Sequence, residues 1–296
     1  MFISMKSFVV ARAVFFGFSV LMLTASPSWA LDWKPVHEKA DRDKYETLLT
    51  QAQKDPVSPG AQYALALSCL NLYRIPEARE AFEKMLALDP ESPEARWGLA
   101  ELARRQHRPD KAKKDLEDII QKNPDYAPAY ITLGYIHFDK RNFEEAQRLA
   151  FKVIRMGRKN VDLSNTVRAY LLVGGSKGMI ANQGSTWTKL VQGVQVMGYL
   201  RKAQSLQPRN ADVYFGLGSF YCLAPVIAGG DKKKGVDFLE KAIEIDPHMT
   251  VAYARLAQTW RRLGDEEKYR SYLEKAIALD PEDSMVLSAK RTKKKK

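Results

Sequence analysis

Residues Thr250 to Asp283 read TVAYARLAQTWRRLGDEEKYRSYLEKAIALDPED, two short amphipathic segments joined by a tight turn. In the first, Tyr253, Leu256, Ala257 and Trp260 fall at i, i+3, i+4 and i+7, which is one face of a helix. Gly264 breaks that helix. Asp265 then supplies an N-cap, Glu266 and Glu267 suit the positive end of a second helix, and Leu273, Ala276 and Ile277 form its apolar stripe. Pro281 closes the unit.

The same template repeats along the chain. Pro56, Pro90 and Pro124 are spaced by 34 residues, as are Pro247 and Pro281. The filling keeps register: Leu65, Ala66, Ala78, Phe82 and Pro90 match Leu99, Ala100, Ala112, Leu116 and Pro124, and Tyr130, Leu133, Gly134 and Ala146 hold the same slots in a third copy. Tyr214, Leu217, Gly218 and Tyr221 repeat the first-helix pattern, with Leu239, Ala242 and Pro247 behind them. Residues 59 to 283 therefore resemble the tetratricopeptide repeat (TPR) family, whose W-x2-L-G-x2-Y…A-x3-F…P signature has this period. The resemblance implies an all-α, right-handed solenoid of stacked antiparallel helix pairs, without a central core, whose stability is close to a sum over units and interfaces.

The expected organisation is a leader over 1–30, an N-terminal cap half-repeat over 31–58, and three regular units over 59–160. Two units with insertions follow over 161–249, then a regular unit over 250–283 and a capping segment with a basic tail over 284–296. Within 31–58 the stretch LDWKPVHEKA reads as loose chain before a second helix that lacks its first. The leader has Lys6 and Arg12 ahead of an apolar run from Ala13 to Ala25 and small residues at Ser28 and Ala30. That is a secretory pattern, with cleavage expected after Ala30; the alternative is an uncleaved anchor reaching back through Phe8 and Val9, which would bury Arg12. No cysteine follows the apolar run, which excludes a lipoprotein anchor. A periplasmic or secreted location follows.

Of the formal charge of +12, the two basic leader residues and the six of the tail account for +8, so the body is only mildly basic. Lys293, Lys294, Lys295 and Lys296 form a terminal run that suits a solvated end or contact with an anionic surface. With the basic excess terminal, nucleic acid is not an expected partner. Nor is chemistry expected. The four histidines are scattered with no metal-site spacing, no phosphate loop or dinucleotide fingerprint occurs, and no cofactor is implied. Gly174-Gly175-Ser176-Lys177-Gly178 matches G-x-S-x-G formally, but the nucleophile elbow needs a strand-to-helix turn and the flanks here are helical repeat, Gly178 helping to end a helix. No catalytic residue and no metal ligand is assigned.

What remains is a surface. In such a superhelix the first helices line the concave side, where Tyr63, Trp97, Arg104, Arg105, Ile131, Tyr135, Phe138, Phe215, Arg261 and Arg262 are candidates for binding a peptide or an envelope protein. Two interruptions of the period, Met179 to Leu190 and Ala224 to Asp231, read as long turns, which makes Trp187, Pro225, Gly229 and Gly230 loop candidates. The second, with its Gly-Gly turn, is similar to the TPR component associated with TRAP-type solute transporters. The expected role is a non-enzymatic scaffold; an accessory transport or assembly component that binds a small ligand near the inserted loops is the alternative.

Overall fold

A computed structural model of the chain describes residues 31–291. The leader with its cleavage point at Ala30, and Lys293 to Lys296, lie outside the described residues. Within them the chain is helical, with no strand. Helices α1 (Trp33–Arg42) and α2 (Tyr45–Lys54) lead in. Five regular hairpins stack with one long one: α3 (Pro59–Asn71) with α4 (Ile75–Leu88), α5 (Pro93–Arg105) with α6 (Pro109–Lys122), and α7 (Ala127–Asp139) with α8 (Phe143–Met156). The long pair is α9 (Leu163–Gln183) with α10 (Thr186–Leu206); α11 (Ala211–Leu223) with α12 (Lys232–Ile245) and α13 (Thr250–Leu263) with α14 (Glu266–Leu279) complete the stack, and α15 (Ser284–Lys290) covers its end. The architecture is the all-α TPR solenoid.

The repeat slots explain the packing. Second-helix positions Ala78, Ala112, Ala146, Ala242 and Ala276 are wholly buried, as are first-helix Ala66 and Ala257, so small side chains let the paired helices approach. Larger residues, Phe82 and Leu116, fill the space one turn further on, and Leu239 fills it one turn before Ala242. Entry to each helix is fixed by capping. Ser58 and Ser92 accept from the amides of Ala61 and Ala95, with proline at the first helical position of α3 and α5.

Three expectations are corrected. Residues 33–42, read as loose chain, form α1, which packs on α3 and α9 on the concave side instead of pairing with α2. The first interruption is not a long turn: α9 and α10 are 21 residues each against 13 or 14 in the regular units, and only Gly184 and Ser185 separate them. The extra residues lengthen both helices because the apolar period runs on; Ala181 is buried, and Ser185 caps α10 by accepting from the Thr188 amide. Trp187 therefore stands in the first turn of a helix. Gly178 ends nothing, since α9 continues to Gln183.

The superhelix closes on itself. Tyr73, in the α3–α4 turn, donates its hydroxyl to Asp246 at 2.7 Å and packs on His248, 5.3 Å between ring centroids, both in the α12–α13 turn. One repeat on, His107 in the α5–α6 turn meets Asp280 at 2.8 Å in the turn after α14. Both links span 173 residues. The bridging residues share an unusual backbone. Tyr73, His107 and Arg141 have φ of 57°, 56° and 63° in equivalent turns 34 residues apart, the slot that Gly264 occupies at φ 86°. Tyr73 and His107 use the strained conformation to project across the gap, whereas exposed Arg141 makes no side-chain hydrogen bond or ion pair among the described residues.

Arg141→Gly should then stabilise by ~0.5–1 kcal/mol, the left-handed cost of ~1–2 less the ~0.5–1 of added chain entropy. Tyr73→Gly should show no such gain and should open the superhelix. Chemical denaturation and small-angle scattering read the two effects, and an Arg141→Gly protein no more stable than wild type would refute the strain argument.

Candidate partner-binding face

The concave side is not empty at its N-terminal end. Helix α1 lays Trp33 and His37 among the aromatic residues of α3, α5 and the start of α7. His37 packs edge-on to Tyr63 at 5.3 Å and beside Trp97 at 5.7 Å, and Trp33 meets Tyr126 at 5.4 Å. Hydrogen bonds run through this cluster. Asn165 Nδ2 approaches His37 Nδ1 at 3.4 Å, which assigns the proton to Nε2; Nε2 then donates to the Tyr63 hydroxyl at 2.7 Å, and the Tyr63 and Tyr126 hydroxyls are 2.7 Å apart. Sequence reasoning missed His37 as a member of this face. Its signal was the i, i+4 pair Trp33 and His37 in a stretch read as unstructured.

Burial holds the His37 imidazole down at about 4 against its ordinary 6.5, with Asp162 opposing the shift and Arg168 adding to it. Asn165, a donor at Nδ1, also disfavours a second ring proton. The consequence for stability has a definite sign. Between pH 6.5 and about 4 the unfolded chain takes up a proton that the folded one refuses, so this contribution is whole above 6.5 and declines as pH falls.

A second cluster lies one step deeper. Glu101 is buried with its carboxylate gripped by three arginines: Arg104 forks it through Nε at 3.0 Å and Nη2 at 2.8 Å, Arg105 Nε donates at 2.9 Å, and Arg168 lies 3.7 Å away. Thr132 also donates to it at 2.9 Å and in turn accepts from the Trp97 indole at 2.9 Å. Burial alone would raise the Glu101 carboxyl, but the arginines outweigh it and hold the group well below the usual carboxylate range. Tyr135 lies between Arg104 and Arg168, 5.5 and 5.2 Å from the two guanidinium carbons. The cluster is an internal clasp tying α5, α7 and α9.

These contacts sort the groove candidates. Tyr63, Trp97 and Ile131 are 0%, 2% and 0% exposed, so they pack inside the protein and are not open to a partner as the chain stands. Arg104 and Arg105 are committed to Glu101, Arg105 also donating to the Leu70 carbonyl at 2.9 Å. Phe138 packs on Phe143 at 5.2 Å, and Arg261 holds α15 by donating to the Ala289 carbonyl at 2.8 Å. Phe215 is partly buried between α11 and α13, and Arg262 is exposed. The open part of the concave side is thus the C-terminal part, at α11 and α13.

The second interruption is a rigid turn. Gly229 has φ 87°, and a Cβ on Gly230 would sit 1.9 Å from the Ala224 carbonyl oxygen, so both glycines serve the backbone. Gly230 donates to the Pro225 carbonyl at 2.9 Å and Asp231 to that of Tyr221 at 3.0 Å. One 3-10 turn, Val226–Ala228, rides on this frame with Val226 and Ile227 86% and 98% exposed. Surface depressions lie along α14, at Glu266, Glu267, Arg270, Ser271 and Glu274, and beside Asp32, Trp33 and Lys159; neither touches the interrupted segments. Ser176 is buried in mid-helix, and no group of three or more potential metal ligands occurs among the described residues. No described helix is long and apolar enough to cross a membrane.

Two substitutions test this account. Taking the wild type from pH 7 to pH 5 should cost about 2 kcal/mol through His37, at 1.36 kcal/mol per unit below 6.5, a loss absent from His37→Phe; denaturation curves that shift in parallel for both proteins would refute it. Glu101→Gln strands three guanidinium groups and should lose ~3–5 kcal/mol, read as a lowered melting temperature.

Comparison with known proteins agrees with the geometry. A tetratricopeptide repeat family matches residues 70–114, and the TRAP transporter T-component family matches residues 117–295. A tetratricopeptide repeat protein from Parabacteroides merdae is similar in structure, with a TM-score of 0.53 at 16% identity, covering 86% of this chain and 94% of that one. The APC/C Cut9-Hcn1 hetero-tetramer contains a similar chain, with a TM-score of 0.57 at 16% identity over 86% of this chain and 46% of that one. Both share the fold. No curated protein matches the sequence. TPR-type scaffolds bind partner proteins and are generally not enzymes, and the T-component match associates the chain with the cell envelope. Since that match spans more than half of its length, the chain belongs to the TRAP transporter T-component family, built on a TPR solenoid.

Proposed function

We propose that this protein is an exported, non-enzymatic scaffold that holds another component of a TRAP transporter against the C-terminal part of its concave face. The observation that carries the reading is α1. Its amphipathic residues, Trp33 and His37, enter the concave side as a bound helix would, which makes that surface a working helix receptor whose N-terminal portion is taken by the chain itself. Gln258 on α13 is tied to α15, but Phe215 on α11 and exposed Arg262 on α13 have no such helix laid over them among the described residues. Family membership supplies the kind of partner, and the leader pattern supplies the compartment.

The alternative, a small ligand at the inserted segments, draws less support. Gly229 and Gly230 are accounted for by a tight turn, and the Met179–Leu190 segment is helix on either side of a two-residue break. The same turn holds Val226 and Ile227 in water beside exposed Lys232 and Lys233, a second place where a protein could dock.

Immobilised protein should capture another component of the transporter from an envelope extract. Capture should fall at least tenfold for the double variant Phe215→Ala/Arg262→Ala with its melt within a few degrees of wild type. Undiminished capture would refute the concave site, and loss on Ile227→Asp alone would move the contact to the 3-10 turn.

A further inference from the structure

One half-buried cation on this face has no counter-charge. Arg255, on α13, places its Nε out of reach of solvent with no hydrogen-bond partner, and no carboxylate pairs with its guanidinium. All aspartates and glutamates of the sequence fall within the described residues, and none of them pairs with it. Arg262 adds a second positive charge nearby; with burial acting first and Arg262 second, the guanidinium is drawn down to about 10. A guanidinium N–H shut off from water without a partner is costly for a fold to keep.

The group is nonetheless held in a fixed orientation. Its Nη1 donates to Gln258 Oε1 at 2.9 Å, and Gln258 Nε2 donates in turn to the Met285 carbonyl at 3.3 Å, at the start of α15. This leaves the Nε and Nη2 edge without a partner from the protein. That edge is the one by which arginines of this same chain fork carboxylates: Arg104 on Glu101 at 3.0 and 2.8 Å, and Arg148 on Glu145 at 2.7 and 2.5 Å.

The repeat register identifies a second group opposite. Glu101 and Thr132, which hydrogen-bond at 2.9 Å, occupy the slot after the small residue Ala100 in one repeat and the slot two before Gly134 in the next. Ser219, after Gly218, and Arg255, two before Ala257, occupy those slots in the last two repeats. Ser219 Oγ is buried and has no hydrogen-bond partner. Where the earlier repeats bring their own acid, the later ones present two unsatisfied polar groups and no acid.

We propose that the Nε and Nη2 edge of Arg255, with Ser219 opposite, is a carboxylate-binding site on the concave face. It takes the carboxyl group of a small organic acid or an acidic side chain of the bound partner. A carboxylate suits it because the two parallel N–H groups of one guanidinium edge match its two oxygens and single charge. The site deepens the reading of this face as the partner's seat and is tested apart from it.

The purified protein is titrated with sodium acetate, sodium succinate and a nonapeptide carrying one central glutamate, each against sodium chloride at matched ionic strength. The readout is the side-chain Nε–H resonance of Arg255, assigned by its loss in Arg255→Met. At least one probe should shift it saturably, and Ser219→Ala should weaken that binding about fivefold. A response to acetate or succinate identifies a small acid, and a response to the peptide alone identifies an acidic side chain. In chloride, Arg255→Met should melt at or above the wild-type temperature, since it removes an unpaired charge; a marked drop would assign Arg255 to packing and overturn the site, as would an unmoved resonance with all three probes. A positive titration with no effect of Phe215→Ala/Arg262→Ala on capture would keep the carboxylate site and move the protein partner off the concave face.

Discussion

Three guanidinium groups around one buried carboxylate fix the relation of α5 to α7 and α9. Glu101 has almost no solvent contact, so its charge is tolerable only with Arg104, Arg105 and Arg168 in place and Thr132 donating to it. In a solenoid each repeat touches only its neighbours, and small errors of rotation accumulate along the stack. A directional clasp spanning three successive first helices limits that error where it matters most. The curvature it helps set brings Tyr73 to Asp246 and His107 to Asp280 across 173 residues. Those two contacts then add a long-range constraint that nearest-neighbour stacking lacks.

Much of this was legible in the sequence, and the reasons are physical. The prolines at 34-residue intervals and the alanine slots, Ala78, Ala112 and Ala146, are direct imprints of helix pairs in close contact. Where reading failed, composition had been taken for conformation. Gly184, Ser185 and Thr186 look like loop chemistry, yet they serve as the C-cap, N-cap and first residue of two extended helices. The stretch around Trp33 contains a proline and mixed charge, but Pro35 stands in the first turn of α1, where a missing N–H costs nothing. The concave candidates were named by slot, and slot alone does not say what covers a residue. Tyr63 and Trp97 are buried because α1 lies over them, a contact with no periodic signature.

Glycine-slot residues mark a further limit of pattern. The consensus position that ends a first helix is Gly264 in the last repeat but Tyr73, His107 and Arg141 in three others, each with positive φ. A non-glycine residue there costs of order 1–2 kcal/mol, and nothing local repays it. Only the superhelical closure gives Tyr73 and His107 a partner, so at these two positions the side chain serves a long-range contact, whereas at Arg141 nothing in the structure explains the departure.

The occupation of the groove by α1 also bears on where a partner can go. A segment joined to its own receptor by a short linker has an effective concentration in the millimolar range or above, and α1 adds to this the buried hydrogen bonds of His37. An external helix seeking the same surface must displace both, and would need an affinity that few isolated helices reach. Phe215 on α11 and Arg262 on α13 have no such competitor among the described residues, and these helices are also where Arg255 and Ser219 keep donors unsatisfied. Cost and vacancy therefore coincide at one end of the molecule. An unpaired guanidinium N–H shut off from water costs stability in the free protein, and a bound carboxylate would offset that cost at the same edge.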